Sequence, residues 1–334
     1  MRSLLFSLLL SSACFSIMAQ QAPIAIVSSS GTTRLISTLD SAAILAQNGD
    51  IIYMPGGTFA GISTKNFENK VTIIGVGHNP DSTAATGRTI VTGYIGFYTG
   101  SEGSVLDGVY ANDVSVSSNT KIYRSNVNTI QVYPNWTTAN NITVDKCIIR
   151  TGLYGAGPSI INSTIKNCVI NNVGTFTQNI NNTDFENNIF LVEGTYGISG
   201  ANQCTFRNNT FTGINDWGFT ASNSFFYNNI FSTSSLPPLT DPGNASGNYL
   251  SQTVTATFVT PTNNTYTYTN DYIIKSTSPG HNGGTDGKDV GIYGNVNPWV
   301  KGNIPPNPHI RTKNVDAATG AGGTLRVRFN VGAQ

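Results

Sequence analysis

From residue 143 to residue 231 the chain repeats one phrase of polar and apolar positions. It reads polar, apolar, polar, then two amide, thiol or charged positions, then a closing apolar pair. Thr164-Ile-Lys-Asn-Cys-Val-Ile170, Asp184-Phe-Glu-Asn-Asn-Ile-Phe190, Thr205-Phe-Arg-Asn-Asn-Thr-Phe211 and Phe225-Phe-Tyr-Asn-Asn-Ile-Phe231 align without gaps. Thr143-Val-Asp-Lys-Cys-Ile-Ile149 precedes them, and Ile122-Tyr-Arg-Ser-Asn-Val-Asn128 fits more loosely. The spacing is 20 or 21 residues throughout. That length suits one turn of a parallel β-solenoid with three short strands and three bends, stacked about 4.8 Å apart.

Columns of this alignment carry the prediction. One apolar column runs Tyr123, Val144, Ile165, Phe185, Phe206, Phe226, and a second runs Ile149, Ile170, Phe190, Phe211, Phe231. Both should face a continuous core. Two further columns sit at bends: Asn126, Cys147, Cys168, Asn188, Asn209, Asn229, and Asn141, Asn162, Asn182, Gln203, Asn223. Stacked amides can hydrogen-bond along the axis and so tolerate burial. A charged column, Arg124, Asp145, Lys166, Glu186, Arg207, then Tyr227, alternates in sign and reads as an outward ladder of cross-strand pairs.

The ends follow other periods. Leu39, Ala42, Ala43 and Ala46 share one helical face, with Gly49 as a stop, so a capping helix should cover the open end of the solenoid. Residues 232–270 read as a lateral excursion. Tyr272-Ile-Ile274 and Asp289-Val-Gly-Ile-Tyr293 read as one more turn, and Leu325, Val327, Phe329 and Val331 alternate as a last strand. Residues 1–19 read as a secretory signal peptide cut after Ala19, or before a lipidated Cys14 in the alternative reading. The expected organisation is therefore 1–19 signal, 20–34 extension, 35–295 solenoid, and 296–334 an extended segment ending in a strand. The destination is secreted or periplasmic, with an outer-membrane lipoprotein as the Cys14 alternative.

Composition narrows the function. Charged residues make up 10% of the 334 positions against about 25% in an average domain, and 39 asparagines supply the polarity instead. Net charge is +1, which gives no electrostatic case for nucleic acid. No later stretch approaches the roughly 18 apolar residues of a membrane span. The mature chain keeps three cysteines, and Cys147 and Cys168 are expected as stacked free thiols on adjacent rungs.

The helix before Gly49-Asp-Ile-Ile-Tyr-Met-Pro-Gly-Gly-Thr-Phe59, the Asn-Asn-x-Phe turns and the closing Asp-Val-Gly-Ile-Tyr293 resemble secreted bacterial right-handed parallel β-helix proteins of the pectin-lyase-like superfamily. The resemblance covers roughly residues 35–295. It implies an all-β, single-stranded right-handed parallel β-helix of 20–21 residues per turn. For activity it implies only a range: polysaccharide lyases, hydrolases, epimerases, adhesins and members without chemistry.

Catalytic groups are hard to find. His78, His281 and His309 lie outside the repeats, and no metal-ligand spacing occurs. Lys166 or Arg207 as a lyase base is a minority reading beside the charge ladder. An aromatic column, Tyr133, Tyr154, Phe176, Tyr196, Trp217, would form a sugar-stacking ribbon if it faced outward, although strand parity with Ile198 and Phe219 favours the core. Glu193 and Asp216 lie beside that column and are the best-placed carboxylates for a sugar or Ca²⁺ site there. Asp286 and Asp289 read as turn caps. The expected function is binding of extracellular or cell-surface polysaccharide with no cofactor. The alternatives are a lyase acting on a uronate-containing glycan, with Ca²⁺ if so, and an adhesive surface protein.

Overall fold

The computed structural model describes residues 22–132, 138–155, 159–172, 179–194, 198–214, 219–236, 239–240, 245–320 and 322–333. The signal segment with Cys14 lies outside them. The chain is an all-β parallel solenoid, and among the described residues its helices are the short Leu39–Leu45 and Val254–Thr257. Its walls are sheets of twelve, ten and six strands.

Each wall carries one inward column. In the first sheet Ile52 pairs in register with Ile73, and the line continues through Leu106, Ile122, Val144, Ile165, Phe185, Phe206, Phe226 and Ala245. In the second sheet Phe59, Val91, Ala111, Val127, Ile149, Ile170, Phe190, Phe211 and Phe231 do the same. The third contributes Ala139, Ile160, Ile180, Ala201 and Ala221. Volume shifts between walls along the axis: the turn that carries Ile165 and Ile170 runs on into Ile180, whereas the turn that carries Phe206 and Phe211 runs on into Ala221. Close packing requires that trade. The rings stack face to face, 4.7 Å apart for Phe185–Phe206 and 4.8 Å for Phe206–Phe226.

The register corrects the alignment on one rung. Ile122, not Tyr123, belongs to the apolar column, and Tyr123 pairs with Asp145. Asn126 pairs with Ile148, so Ser125 precedes Cys147 in the buried polar column. Arg124 leaves the charge ladder, takes a left-handed backbone (φ 42°) and pairs with Asp107. Matching Ser-Asn-Val to Lys-Cys-Ile hid a step of 22 residues, which the inward apolar positions would have shown. Further along, Glu186 and Arg207 pair at 3.1 Å as the ladder predicts, whereas Asp145 accepts from Asn167 Nδ2 at 3.0 Å.

Two bends recur with one design: a left-handed residue followed by a buried polar one. At the first bend Asn167, Asn187, Asn208 and Asn228 have φ between 51° and 56° and precede Cys168, Asn188, Asn209 and Asn229. At the other, Asn162, Asn182, Gln203 and Asn223 have φ between 44° and 55° and precede Ser163, Thr183, Cys204 and Ser224. Asparagine tolerates this conformation better than other residues with a side chain. The buried amides form a true ladder. Asn209 Nδ2 donates to the Phe185 carbonyl at 2.8 Å, while its Oδ1 accepts from the Asn188 backbone N–H at 2.8 Å. Cys147, Cys168 and Cys204 are free and buried, and the Cys147 N–H donates to the Cys168 sulfur at 3.4 Å.

The solenoid is closed at its start by two devices. Thr38 caps the helix Leu39–Leu45 by accepting from the Ser41 N–H, and Leu39, Ala42 and Ala43 are buried. The helix ends at Ala46 in extended backbone; Gly49 (φ 89°) makes the later turn into the first strand. An antiparallel hairpin, Ile24–Val27 with Thr33–Ile36, pairs with Ile51–Tyr53 and covers the edge that would otherwise be bare.

The other end does not continue as one more turn. Val254, Phe258, Tyr272, Ile274, Val290 and Ile292 form a second core against Ile148, Val169, Ile189 and Ile230. Those last four are the outward neighbours of the inward column in the second sheet. The chain therefore returns along the outside of the solenoid. Its strap is bonded rung by rung to the first bend: Asn228 Nδ2 to the Gly283 carbonyl, Asn208 Oδ1 from the Thr285 N–H, Asn187 Nδ2 to the Gly291 carbonyl, and Lys146 Nζ to Asn297 Oδ1. Beyond the strap, His309–Val315 and Val327–Gly332 form an exposed antiparallel hairpin.

Candidate functional site

The predicted sugar-binding positions fall at the edge of what is described. Tyr133, Phe176, Tyr196, Asp216 and Trp217 lie outside the described residues, as do the side chains of Tyr154 and Glu193. Each aromatic position stands a few residues before a strand of the third sheet: Thr138–Asn140, Ser159–Ile161, Ile180–Asn181, Ile198–Asn202 or Phe219–Ser222. Those strands deliver the chain into the second bend.

That bend forms the exposed amide corner. An open groove of about 830 Å³ runs over it, lined by Ile161, Asn162, Asn181, Asn182, Gln203, Asn223 and Phe225. Among the described residues no charged side chain lines it. The left-handed backbone turns each corner residue outward while the next residue turns in. The inner hydroxyls tie rungs together: Ser163 Oγ accepts from the Ile142 N–H at 2.9 Å and donates to the Ile161 carbonyl at 2.8 Å. The outer amides are therefore held on a rigid frame.

The amides also order one another. Asn182 Nδ2 donates to Asn162 Oδ1 at 2.7 Å, Asn202 Nδ2 to Asn181 Oδ1 at 3.2 Å, and Asn223 Nδ2 to Asn202 Oδ1 at 3.3 Å. An amide has two donor hydrogens and an oxygen with two lone pairs. Each link uses one of each, which leaves further donors and acceptors on these exposed amides. Phe225, exposed at the last of these rungs, adds an apolar face beside Tyr227, with ring centres 6.3 Å apart. The surface offers repeated neutral hydrogen bonds and one stacking platform.

Several of the other chemistry candidates are occupied. Glu186 holds the Arg207 guanidinium, and Asp289 Oδ1 bonds His281 Nδ1 at 2.9 Å and the Asn282 N–H at 2.9 Å. Asp286 Oδ1 accepts from the Lys288 N–H, as a turn cap should. Burial pushes the Cys204 thiol up to about 11 and raises Cys168 as well, so neither sulfur is a ready nucleophile. Among the described residues no group of three His, Cys, Asp or Glu side chains gathers as a metal would need.

The column Asn162, Asn182, Gln203, Asn223 was legible as a repeat, but its exposure was not. The signal lay one position later: Ser163, Thr183, Cys204 and Ser224 are small residues suited to the inside, which puts their neighbours outside. Comparison of the chain with protein-family models, with curated proteins and with solved structures finds no match.

Proposed function

We propose that this chain is an exported right-handed β-helix that binds an extended polysaccharide laid along the amide corner, parallel to the solenoid axis. The carrying observation is the groove itself: among the described residues, an uncharged, exposed file of amides at one-rung spacing, backed by an inner file of three hydroxyls and the Cys204 thiol. A hydroxyl-rich polymer of short repeat meets such a file with many individually modest hydrogen bonds, and the rigid frame lowers the ordering cost. The strong bias of parallel-strand crossovers supports the handedness. The aromatic positions Tyr133, Tyr154, Tyr196 and Trp217 border the same sheet in sequence and would extend the contact by stacking. Glu193 and Asp216 would then bond sugar hydroxyls.

The test is a glycan-binding survey of the full mature chain with neutral and acidic polysaccharides, run with the variants Asn182→Ala and Gln203→Ala. Retention of an extended polysaccharide that falls at least several-fold in both variants is expected. Retention unchanged in both would remove the corner from the account. The same incubations, followed by ultraviolet absorbance for unsaturated product with and without a chelator, test the lyase alternative and its Ca²⁺.

A further inference from the structure

Away from the amide corner, on the outer face of the second sheet, two arginines share one tyrosine. The Arg150 guanidinium carbon lies 4.0 Å from the centre of the Tyr110 ring, and that of Arg88 lies 5.4 Å from it. One ring thus carries two guanidiniums, each within 5.4 Å of its centre. Register explains the meeting. Ile90, Tyr110, Asn126 and Ile148 are successive members of one outward column, Arg150 follows Ile148 by two residues, and Arg88 precedes Ile90 by two.

Neither cation has a carboxylate partner among the described residues; the ion pairs there are Lys65–Glu68, Arg124–Asp107, Arg207–Glu186 and His281–Asp289. Asp113 is near enough to be felt by Arg150 but is not in contact. Arg150 Nη2 donates to the Ala111 carbonyl at 2.7 Å, whereas its Nη1 is buried with no partner. Beside it, His78 Nε2 and Asn126 Oδ1 are also buried and unpartnered. His78 is fully enclosed. Burial, then the two arginine charges, lowers its pKa to about 3, so it adds no compensating charge near neutrality. Tyr268, from the segment that folds back over this face, closes the cluster: its hydroxyl receives Asn126 Nδ2 at 2.8 Å and donates to the His78 carbonyl at 3.1 Å.

Two half-buried like charges and an unmet donor are costly without a counter-charge. The tyrosine face offsets only part of this cost. A single carboxylate is filled by one guanidinium in its forked geometry, whereas two guanidiniums call for an anion with three or more oxygens.

We propose that Arg88, Tyr110 and Arg150 form a binding site for a tetrahedral oxyanion, sulfate or phosphate, free or as an ester on a sugar. The site lies on a different sheet from the amide corner and stands whether or not that corner holds a glycan.

Isothermal titration of the full mature chain with sodium sulfate, and separately with sodium phosphate, at constant ionic strength tests it. Parallel arms use a sulfated polysaccharide and its desulfated form. Saturable binding of one inorganic anion is expected, at least tenfold weaker in Arg88→Gln and in Arg150→Gln and unchanged in Arg311→Gln on the distant hairpin. Preference for the sulfated polymer over its desulfated form would place the anion on a sugar, and equal retention of both would place it free in solution. Loss of the sulfate effect in Arg311→Gln, no saturable uptake of either anion, or uptake unaltered in both cluster variants would overturn the proposal. Arg88→Lys keeps the charge and guards against misfolding: it should bind measurably but less tightly.

Discussion

Single side chains in this molecule act through stacks of their own kind. Phe206 is held between Phe185 and Phe226, with no exposed surface and ring separations of 4.7 and 4.8 Å. Phe206→Ala should cost about 3–5 kcal/mol, because neighbours pinned by their own rungs cannot collapse into the void. Denaturant melts measure it, and a loss below about 1 kcal/mol would mean that the column is not core. His78 gives a pH signature. Its folded pKa of about 3 lies below the ordinary value of 6.5, so the unfolded chain binds the proton first. Stability at this site is complete above about pH 6.5 and drains as pH falls toward 3, by about 3 kcal/mol at pH 4. The difference in stability between wild type and His78→Gln, followed from pH 7 to pH 4, should shrink accordingly. A difference that stays constant would show that the fold does not lower the His78 pKa.

Among the elements, the rungs were readable and the strap was not. Columns such as Phe185–Phe206–Phe226 repeat a buried residue at a fixed interval, so the alignment alone placed them. The strap has no period. Tyr272, Ile274, Val290 and Ile292 have strand-like spacing, yet they pack on side chains that point away from the solenoid core. The clue was in the strands beneath: Ile148-Ile149, Val169-Ile170, Ile189-Phe190 and Ile230-Phe231 are apolar doublets where a half-exposed strand would alternate. A doublet means that both faces are covered. Arg88, Tyr110 and Arg150 escaped notice for a related reason, since they are 22 and 40 residues apart, in rungs that depart from the 20–21 residue period. The strap makes its own prediction. Asn208→Gly keeps the left-handed backbone (φ 56°) and removes only the two bonds to Thr285. It should raise protease cleavage within residues 280–300 several-fold while the β-sheet circular dichroism stays unchanged. Cleavage no faster than in the wild type would show that the Thr285 bonds do not hold the strap.

At the scale of the whole molecule, an axial stack of identical bends turns a one-dimensional repeat into a one-dimensional surface. The buried amides and rings fix the frame, the strap and the capping hairpin protect its flank and first edge, and the amide corner is exposed and, among the described residues, uncharged. From Asn162 to Asn223 that corner spans three rung spacings, about 14 Å. Under the proposed function, a glycan aligned with the axis would gain contacts with each added sugar until it covers this length. The most direct measurement is therefore the dissociation constant of oligosaccharides of increasing length, cut from whichever polysaccharide the survey retains. Affinity should rise with each sugar and level off once the chain outruns the corner, with Asn182→Ala lowering the plateau but not the single-sugar value. A monosaccharide that binds as tightly as the longest oligomer would contradict an axial site.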